Sequence, residues 1–250
     1  SLTHPPTRLI SFASSSKILN KNLIDRLFNK LINEELFIFF IFNYIVNIIM
    51  SSFNENPKVI FNNIKELLNY GVKERNNSFH IPVFSNIEKD NSVNSRIVVL
   101  RKFDETKLIL NFHTDLRSMK LQKLKEYNNS FFVFYDFKLK IQLRIKTLSS
   151  INNNNFIAKQ AWEKTGLFSR KCYLSQKAPS SLTKIPEDGL PDHLKGIDPT
   201  KEESEKGYKN FTVIENEIKS IDWLYLASSG HKRLKINFEE CVPFYEWLIP

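Results

Sequence analysis

The stretch from Ser130 to Leu148, SFFVFYDFKLKIQLRIKTL, gives the clearest indication of the fold. Its first part, SFFVFYDF, is rich in aromatic and β-branched residues, which favour β-strands. In its second part, LKIQLRIKTL, Gln142 and Arg144 alternate with isoleucine and leucine, as in a strand with one buried face. Two such runs joined by a short turn predict an antiparallel β-hairpin.

A second hairpin is predicted upstream of this one. The β-branched run SRIVVLRKF (Ser95–Phe103) and the strand LILNFH are joined by the four-residue turn DETK. Before them, NPKVIFNNIKELLNYG predicts an amphipathic helix, with Asn56 as the N-cap, Pro57 at the first helical position and Gly71 at the end. A further helix is predicted at about residues 116–126.

The remainder of the chain adds one helix, a long loop and three strands. The helix carries Trp162, residues 175–207 predict a surface excursion, and YKNFTVIENEI, HKRLKINF and FYEWLIP predict strands. Consecutive antiparallel hairpins with short helices predict an α+β fold, mainly antiparallel β, as a barrel or a sandwich. The chain lacks the strand–helix alternation of a parallel nucleotide-binding fold. With six glycines and no G-x-G-x-x-G motif or P-loop, a glycine-cradled phosphate site is disfavoured.

The first fifty residues differ from the rest, because LFIFFIFNYIVNIIM (residues 36–50) is apolar and aromatic. Fifteen residues are short for a membrane span, which needs about 20. Three interpretations remain open: a membrane-associating helix, a poorly structured extension, or a stretch missing from a mature protein that starts at Met50. The last two are favoured, so we predict an extension over 1–50 and a folded domain over 51–250.

Composition limits the partners and the compartment. The net charge is +9 and the pI about 9.4, so the partner is expected to be anionic: a phosphate ligand, nucleic acid or a membrane surface. Cys172 and Cys241 lie far apart without CxxC or Cys/His spacing. We therefore predict neither a disulfide framework nor a metal site, and a cytoplasmic, reducing location.

The segment TDLRSMK, directly behind the strand LILNFH, is the strongest candidate site. A helix start offers unpaired backbone N–H groups, and Thr114, Ser118, Arg117 and Lys120 add hydroxyl and charged donors. A phosphate cup and a capped helix with a solvated basic face both explain this pattern. Gln142 offers a donor and an acceptor within a strand, which suits a flat heterocycle, although for this residue taken alone an exposed polar position is favoured.

Four motifs in order, RIVVLRKF, FHTDLRSMK, FVFYDFKLKIQLRI and the tail HKR…F…W…P, resemble the FMN-binding split-barrel family of pyridoxamine 5′-phosphate oxidase, especially its shorter oxidase-like branch. The resemblance covers roughly residues 55–250. It implies an FMN-binding split β-barrel with peripheral helices, acting as a homodimer with FMN at the subunit interface. Arg233 and Tyr208 would close over the flavin from the partner subunit. The FMN contacts that the resemblance implies from the first subunit are Arg96, Ile97, Val98, Val99, His113, Thr114, Arg117, Ser118, Lys120 and Gln142.

Several positions depart from the family pattern. Met119 stands where the oxidases have an arginine before the lysine, and the resemblance assigns the compensating role to Arg117. Arg101 replaces a lysine that grips the substrate phosphate, and His231 matches a substrate-binding histidine whose arginine partner is replaced by Ser229. The substrate-phosphate helix has only loose counterparts. These are Trp162, Ser169 and Arg170.

The resemblance implies an FMN-dependent oxidase acting on an amine or alcohol, with pyridoxamine or pyridoxine 5′-phosphate as the leading substrate and oxygen as the acceptor. Arg101 and His231 are the predicted substrate contacts, and no catalytic residue is assigned. The alternative is a flavoprotein of the same fold that reduces another molecule or only binds FMN. A nucleic-acid-binding domain is disfavoured because no basic and aromatic stripe is present.

Other residues are expected to have structural roles. We predict His4, His80 and His193 at surface or loop positions, and the three tryptophans in core or interface packing. The run KEESEKGYK is predicted to be a solvated loop.

Overall fold

The structure, a computed structural model, describes residues 55–88 and 90–250. The interpretations of residues 1–50, the start at Met50 and the position of His4 lie outside the described residues. Asn56–Pro250 form one compact unit, and the domain boundary at residue 51 stays a prediction. Within the described ranges, no helix has the length and apolar character needed to cross a membrane.

The described chain contains five α-helices and nine β-strands. The helices are α1 (Pro57–Lys73), α2 (Met119–Glu126), α3 (Phe156–Glu163), α4 (Leu167–Arg170) and α5 (Lys201–Glu205). The strands are β1 (Val83–Ile87), β2 (Val93–Ile97), β3 (Lys102–Asp104), β4 (Ile109–Asp115), β5 (Asn129–Asp136), β6 (Ile141–Asn152), β7 (Phe211–Tyr225), β8 (Lys232–Glu239) and β9 (Val242–Leu248).

All nine strands belong to one antiparallel sheet in the order β2-β1-β5-β6-β7-β4-β3, with β8 pairing β7 and β9. The predicted hairpin at residues 130–148 is β5–β6, in which Tyr135 pairs with Gln142 and Val133 with Arg144. The α+β class with mainly antiparallel strands is therefore confirmed.

A cluster of phenylalanines forms the centre of the core. The ring of Phe84 lies 4.8 Å from that of Phe112 and 5.1 Å from that of Phe132, and Phe79 stacks on Phe134 at 5.3 Å. All five are buried. Burying each such side chain contributes about 1.5–3 kcal/mol, and α1 adds its own buried face to the same cluster.

The predicted single strand Ser95–Phe103 is wrong, because the chain breaks it into β2 and β3. These strands occupy opposite ends of the sheet order, and residues 98–101 connect them. Val98 N–H donates to Pro82 O at 3.0 Å, and Arg101 N–H donates to Asn111 O at 2.8 Å. Residues 98–101 therefore pass from one edge of the sheet to the other. This connection interrupts the strand although the β-branched residues favour a continuous one.

The N-cap of α1 is confirmed, since the Asn56 side chain accepts from the amides of Lys58 and Val59. Gly71 does not end the helix, which continues to Lys73. A Cβ at Gly71 would lie 2.7 Å from the backbone of Phe79, so glycine is needed there for close packing. The predicted surface position of His80 is also wrong: His80 is buried, with Nδ1 2.6 Å from Gly71 O.

One further expectation fails in the C-terminal half, and the core packing expected of the tryptophans is confirmed for two of the three. The run KEESEKGYK begins with α5, which Thr200 and Glu203 close with a reciprocal capping box, and Ser204 is completely buried. It is therefore no solvated loop, because an N-cap and a buried hydroxyl order its first turn. Trp162 and Trp223 are buried as predicted, whereas Trp247 is 47% exposed and does not pack in the core.

Candidate ligand-binding site

The Lys120 ammonium organises a cup at the start of α2. Its Nζ donates to Thr114 Oγ1 at 2.7 Å and to Ser118 Oγ at 2.8 Å. Thr114 is the second-last residue of β4, and α2 begins directly after Ser118. Because both hydroxyls accept from Lys120, their own protons remain available to a further acceptor. Ser118 makes no capping hydrogen bond with its side chain, so capping does not account for its hydroxyl.

Arg96 adds a second cation, from β2. Its Nη1 donates to Asn86 Oδ1 and its guanidinium lies 5.7 Å from the centre of the Phe84 ring. Burial lowers the pKa of Arg96 from its ordinary value, but a guanidinium stays charged at any working pH. No carboxylate forms an ion pair with Arg96 or Lys120 among the described residues, so the two charges are not neutralised within this part of the chain.

The electrostatics of the cup suit an anion. Burial, and then the positive charge of Arg96, lower the pKa of Lys120 from 10.5 to about 8. A buried ammonium beside a guanidinium is disfavoured until a negative group compensates both. Two cations and two hydroxyls with free protons match a phosphate monoester, which offers three acceptor oxygens.

Arg117 faces away from the cup, on the other side of the turn. It lies before α2 rather than in its first turn. Its guanidinium binds Asp115 through Nε at 3.0 Å and Nη2 at 2.7 Å, and Nη1 donates to Ser175 O at 3.0 Å. Met119, which lies between Arg117 and Lys120 in the sequence, is 64% exposed. The structure therefore shows Arg117 tying the turn to residue 175, and its role towards a phosphate stays a prediction.

His113 belongs to β4 and is half-buried, with its ring 4.8 Å from that of Phe211. Burial, and then the charge of Arg101, lower its pKa from 6.5 to about 4. A neutral imidazole can donate or accept one hydrogen bond but brings no charge to an anion. Beside Arg96, Ile97 is exposed, Val98 is buried and Val99 is half-buried.

Gln142 lies in a row that crosses five strands. Tyr135 pairs with Gln142, Gln142 with Leu224, Leu224 with Arg233, and Arg233 with Leu248. Directly paired residues point to one face of a sheet. Arg96 pairs with the buried Phe84, whereas Gln142 shares the face of the exposed Tyr135. The register therefore places Gln142 and the Arg96 side of the cup on opposite faces.

Two arginines share one carboxylate on the outer face that carries Gln142. Asp222 accepts from Arg144 Nη2, and from Arg233 Nε at 3.1 Å and Nη2 at 2.9 Å. Asp222 is buried, and although burial acts to raise its pKa, hydrogen bonds from Arg233 and Arg144 bring the pKa below its ordinary value. The carboxylate thus holds both guanidinium groups beside Gln142.

The residues predicted to bind substrate do not converge in the described chain. Arg101 is exposed near His113, and His231 is exposed in the turn between β7 and β8, without a contact between them. Tyr208 packs on Trp162, with ring centres 5.7 Å apart. Arg170 is buried, with its donors directed to Thr165 O, Trp162 O, Ser204 and Glu205.

Three residues important to this geometry were not predicted. Asn86 holds Arg96, Asp115 holds Arg117, and Asp222 holds Arg144 and Arg233. Asp115 lies inside TDLRSMK, where an acid two residues before an arginine could have indicated the pair. Nothing local indicates Asn86 or Asp222, because strand register alone brings them to their partners.

Sheet and cup together define a class: an antiparallel β protein with a basic, hydroxyl-lined cup whose chemistry suits an anion. Residues 62–151, from α1 to β6, match the family model described as "Pyridoxamine 5′-phosphate oxidase, FMN-binding domain". The match confirms the resemblance seen in the sequence. FMN, the predicted cofactor, is the ligand of the matched domain. No curated protein is similar enough in sequence to count as a relative.

Two solved structures are similar over most of their length. One is a pyridoxamine 5′-phosphate oxidase-related, FMN-binding protein from Nostoc punctiforme, with 15% identity, a TM-score of 0.57, and coverage of 76% of this chain and 96% of that one. The other is PhzG from Burkholderia lata in complex with tetrahydrophenazine-1-carboxylic acid, with 13% identity, a TM-score of 0.60, and coverage of 79% and 96%. At these identities the likeness establishes the split-barrel fold and confirms that prediction.

Proposed function

We propose that this chain is an FMN-dependent oxidoreductase that oxidises an amine or an alcohol with oxygen as the acceptor. The observation that carries the proposal is the cup, in which Thr114 and Ser118 accept from Lys120 and the charge of Arg96 acts on the same ammonium, while no carboxylate of the described residues forms an ion pair with either cation. This arrangement suits the phosphate of FMN. Pyridoxamine or pyridoxine 5′-phosphate is the leading substrate by family resemblance.

Bound FMN supplies the two-electron chemistry, and the protein supplies binding and orientation. For an amine R–CH₂–NH₂, the balance is one O₂ and one water consumed, and one aldehyde, one ammonia and one hydrogen peroxide released. Lys120 and Arg96 hold the phosphate end. Gln142 offers an amide to the edge of the ring, and Arg233, oriented by Asp222, offers a guanidinium on the same face.

The separation of Gln142 from the cup supports a site shared by two copies of the chain. In one copy the two lie on opposite sheet faces, so one ligand can meet both most simply when the second copy supplies Gln142, which replaces the first-subunit role that the family resemblance implied for this residue. The outer face of β1 and β2 carries exposed apolar side chains in paired positions, Val83 with Ile97 and Ile87 with Val93. An apolar stripe of this kind is typical of an interface. We therefore propose a homodimer with FMN at the interface.

On the substrate side, Arg101 and His231 remain the proposed contacts. Arg170 is a poor substrate ligand because its donors are already used inside the protein. The two thiols, both unpaired in the described chain, are compatible with the proposed cytoplasmic location.

A second candidate function is supported by the same observation about Arg170. If the cup holds FMN while the substrate side lacks the family's phosphate ligands, a flavoprotein with another substrate, or a flavin carrier without oxidase activity, fits the geometry. This function keeps the cup and changes only what approaches the ring.

One purification separates these functions. The protein is purified and inspected for flavin absorbance, and peroxide release is measured with pyridoxamine 5′-phosphate and with pyridoxine 5′-phosphate. Yellow protein that releases peroxide supports the oxidase. Yellow protein that releases none supports the second candidate, and protein that stays colourless after incubation with FMN excludes both.

A further inference from the structure

A cleft of about 430 Å³ opens on the side of the 115–118 turn that faces away from the cup. The side chain of Arg117 reaches its wall, and Tyr173, Leu174, Pro191 and Leu194 supply apolar surface. This volume is in the range of small-molecule sites. None of the residues assigned above to FMN or substrate lines it except Arg117.

The carboxylate and the guanidinium that line the cleft both have partners within the protein. Glu203, the carboxylate in the wall, accepts from the Thr200 amide at 3.0 Å and lies 3.2 Å from His193 Nε2. The backbone hydrogen bond from Thr200 is the main cause of its lowered pKa. Arg117 is matched by Asp115. The acidic and guanidinium groups of the wall are therefore already engaged.

Two lysines of the same wall have no such partner. Lys206 and Lys209 line the cleft, and within the described ranges neither forms an ion pair. They lie on the turn that follows α5, three residues apart. Gln176 lines the cleft as well and adds an amide donor. Unpaired ammonium groups beside apolar walls suit a ligand with an anionic end and an apolar or flat body.

We propose that this cleft binds a small organic anion, a carboxylate or phosphate monoester carried on an apolar or aromatic body. Lys206 and Lys209 hold the anionic group, and Tyr173, Leu174 and Leu194 contact the body. The site lies back to back with the cup, across one turn of chain. Arg117 links them, because it is anchored to Asp115 in the turn and to Ser175 O in the cleft wall.

The test is calorimetric titration of the whole protein, saturated with FMN, using phenyl phosphate, inorganic phosphate and phenol as probes. Phenyl phosphate is expected to bind more tightly than either of the others, because it alone has both parts. The double variant Lys206→Gln/Lys209→Gln is expected to bind phenyl phosphate at least tenfold more weakly. Lys201→Gln, which removes an exposed lysine of α5 outside this cleft, is the matched control and should bind as the unmodified protein does.

A third variant separates the cleft from the cup. Lys120→Gln is expected to keep its affinity for phenyl phosphate. Binding that is lost in Lys120→Gln but kept in the double variant would place the anion in the cup and overturn the proposal. Equal affinity for phenol and phenyl phosphate, or no binding of any probe, would overturn it as well. None of these results bears on flavin absorbance, so the proposed oxidoreductase is judged separately.

Discussion

The ammonium of Lys120 lies 2.7 Å from the hydroxyl of Thr114, although the two residues are six positions apart and the strand-to-helix turn lies between them. Ser118 completes this arrangement at 2.8 Å. One cation thus fixes the end of β4 to the start of α2 and leaves two hydroxyl protons for a ligand. Because these side chains already hold one another in place, a phosphate that bound here would order less of the protein.

Replacing Lys120 with methionine is expected to weaken FMN binding about 10- to 100-fold, because a charge-assisted hydrogen bond contributes about 1.5–3 kcal/mol. The measurement is quenching of flavin fluorescence on titration with protein. Lys123→Met, on the same helix and ion-paired with Glu126, is the control and should leave the dissociation constant unchanged. Equal affinity of both variants would remove Lys120 from the phosphate site.

FMN affinity is expected to fall as the pH rises through about 8. The pKa of Lys120 is lowered to about 8, so its ammonium is present below that pH and is lost above it. A bound phosphate moves this loss to higher pH, because it favours the charged form. The phosphate is already a dianion above its second pKa of about 6, so its own charge does not change between pH 7 and 10. Dissociation constants measured between pH 7 and 10 should rise for the unmodified protein and rise less steeply for Lys120→Met.

His113 is expected to make the protein less stable in acid. Its folded-state pKa of about 4 lies below the ordinary 6.5, so between these values the unfolded chain binds a proton that the folded chain does not. The contribution of His113 to the free energy of unfolding is therefore fully present above pH 6.5 and is lost progressively as the pH falls towards 4. From pH 7 to pH 5 this amounts to about 1–2 kcal/mol. Urea unfolding at both pH values should show a smaller loss for His113→Gln, and an identical loss would contradict the assignment.

Gly71→Ala is expected to destabilise the protein although alanine favours helices by about 1 kcal/mol. The added Cβ meets the Phe79 backbone at 2.7 Å, and overpacking of this kind costs about 1–3 kcal/mol. Gly166→Ala is the matched control, since nothing lies within 4 Å of its Cβ. Thermal unfolding of both variants provides the comparison, and equal midpoints would show that α1 shifts freely away from residue 79.

Arg170→Met is expected to lower the free energy of unfolding by about 1–3 kcal/mol, since it leaves buried acceptors unpaired. The acceptors include Thr165 O and Trp162 O at 2.8 Å. FMN affinity should not change, because Arg170 makes no contact with the cup. Lys171→Met, the next residue, should have little effect on unfolding. A variant as stable as the protein itself would instead point to a ligand-binding role for Arg170.

Patterns of neighbouring residues predicted much of this molecule. The alternation around Gln142 and Arg144 predicted β6 and its pairing with β5, and the N-cap at Asn56 predicted the start of α1. The segment TDLRSMK predicted three members of the cup because Thr114, Ser118 and Lys120 are close in sequence. Each of these features depends on contacts over a few residues, which composition and spacing express directly.

Tertiary structure decided the rest, because the partners are distant in sequence. Arg96 reaches the cup side only after β2 pairs with β1, and Asp222 meets Arg144 across 78 positions through the register of β6 and β7. The run Ser95–Phe103 has the composition of one strand, yet the joining of two sheet edges divides it. A glycine such as Gly71 is typical of a helix end, yet α1 continues past it, and glycine is needed there because the Phe79 backbone packs so closely. The sequence by itself determined most of the strands and the neighbouring donors Thr114, Ser118 and Lys120, whereas packing and register divided Ser95–Phe103 and determined which distant residues complete the site.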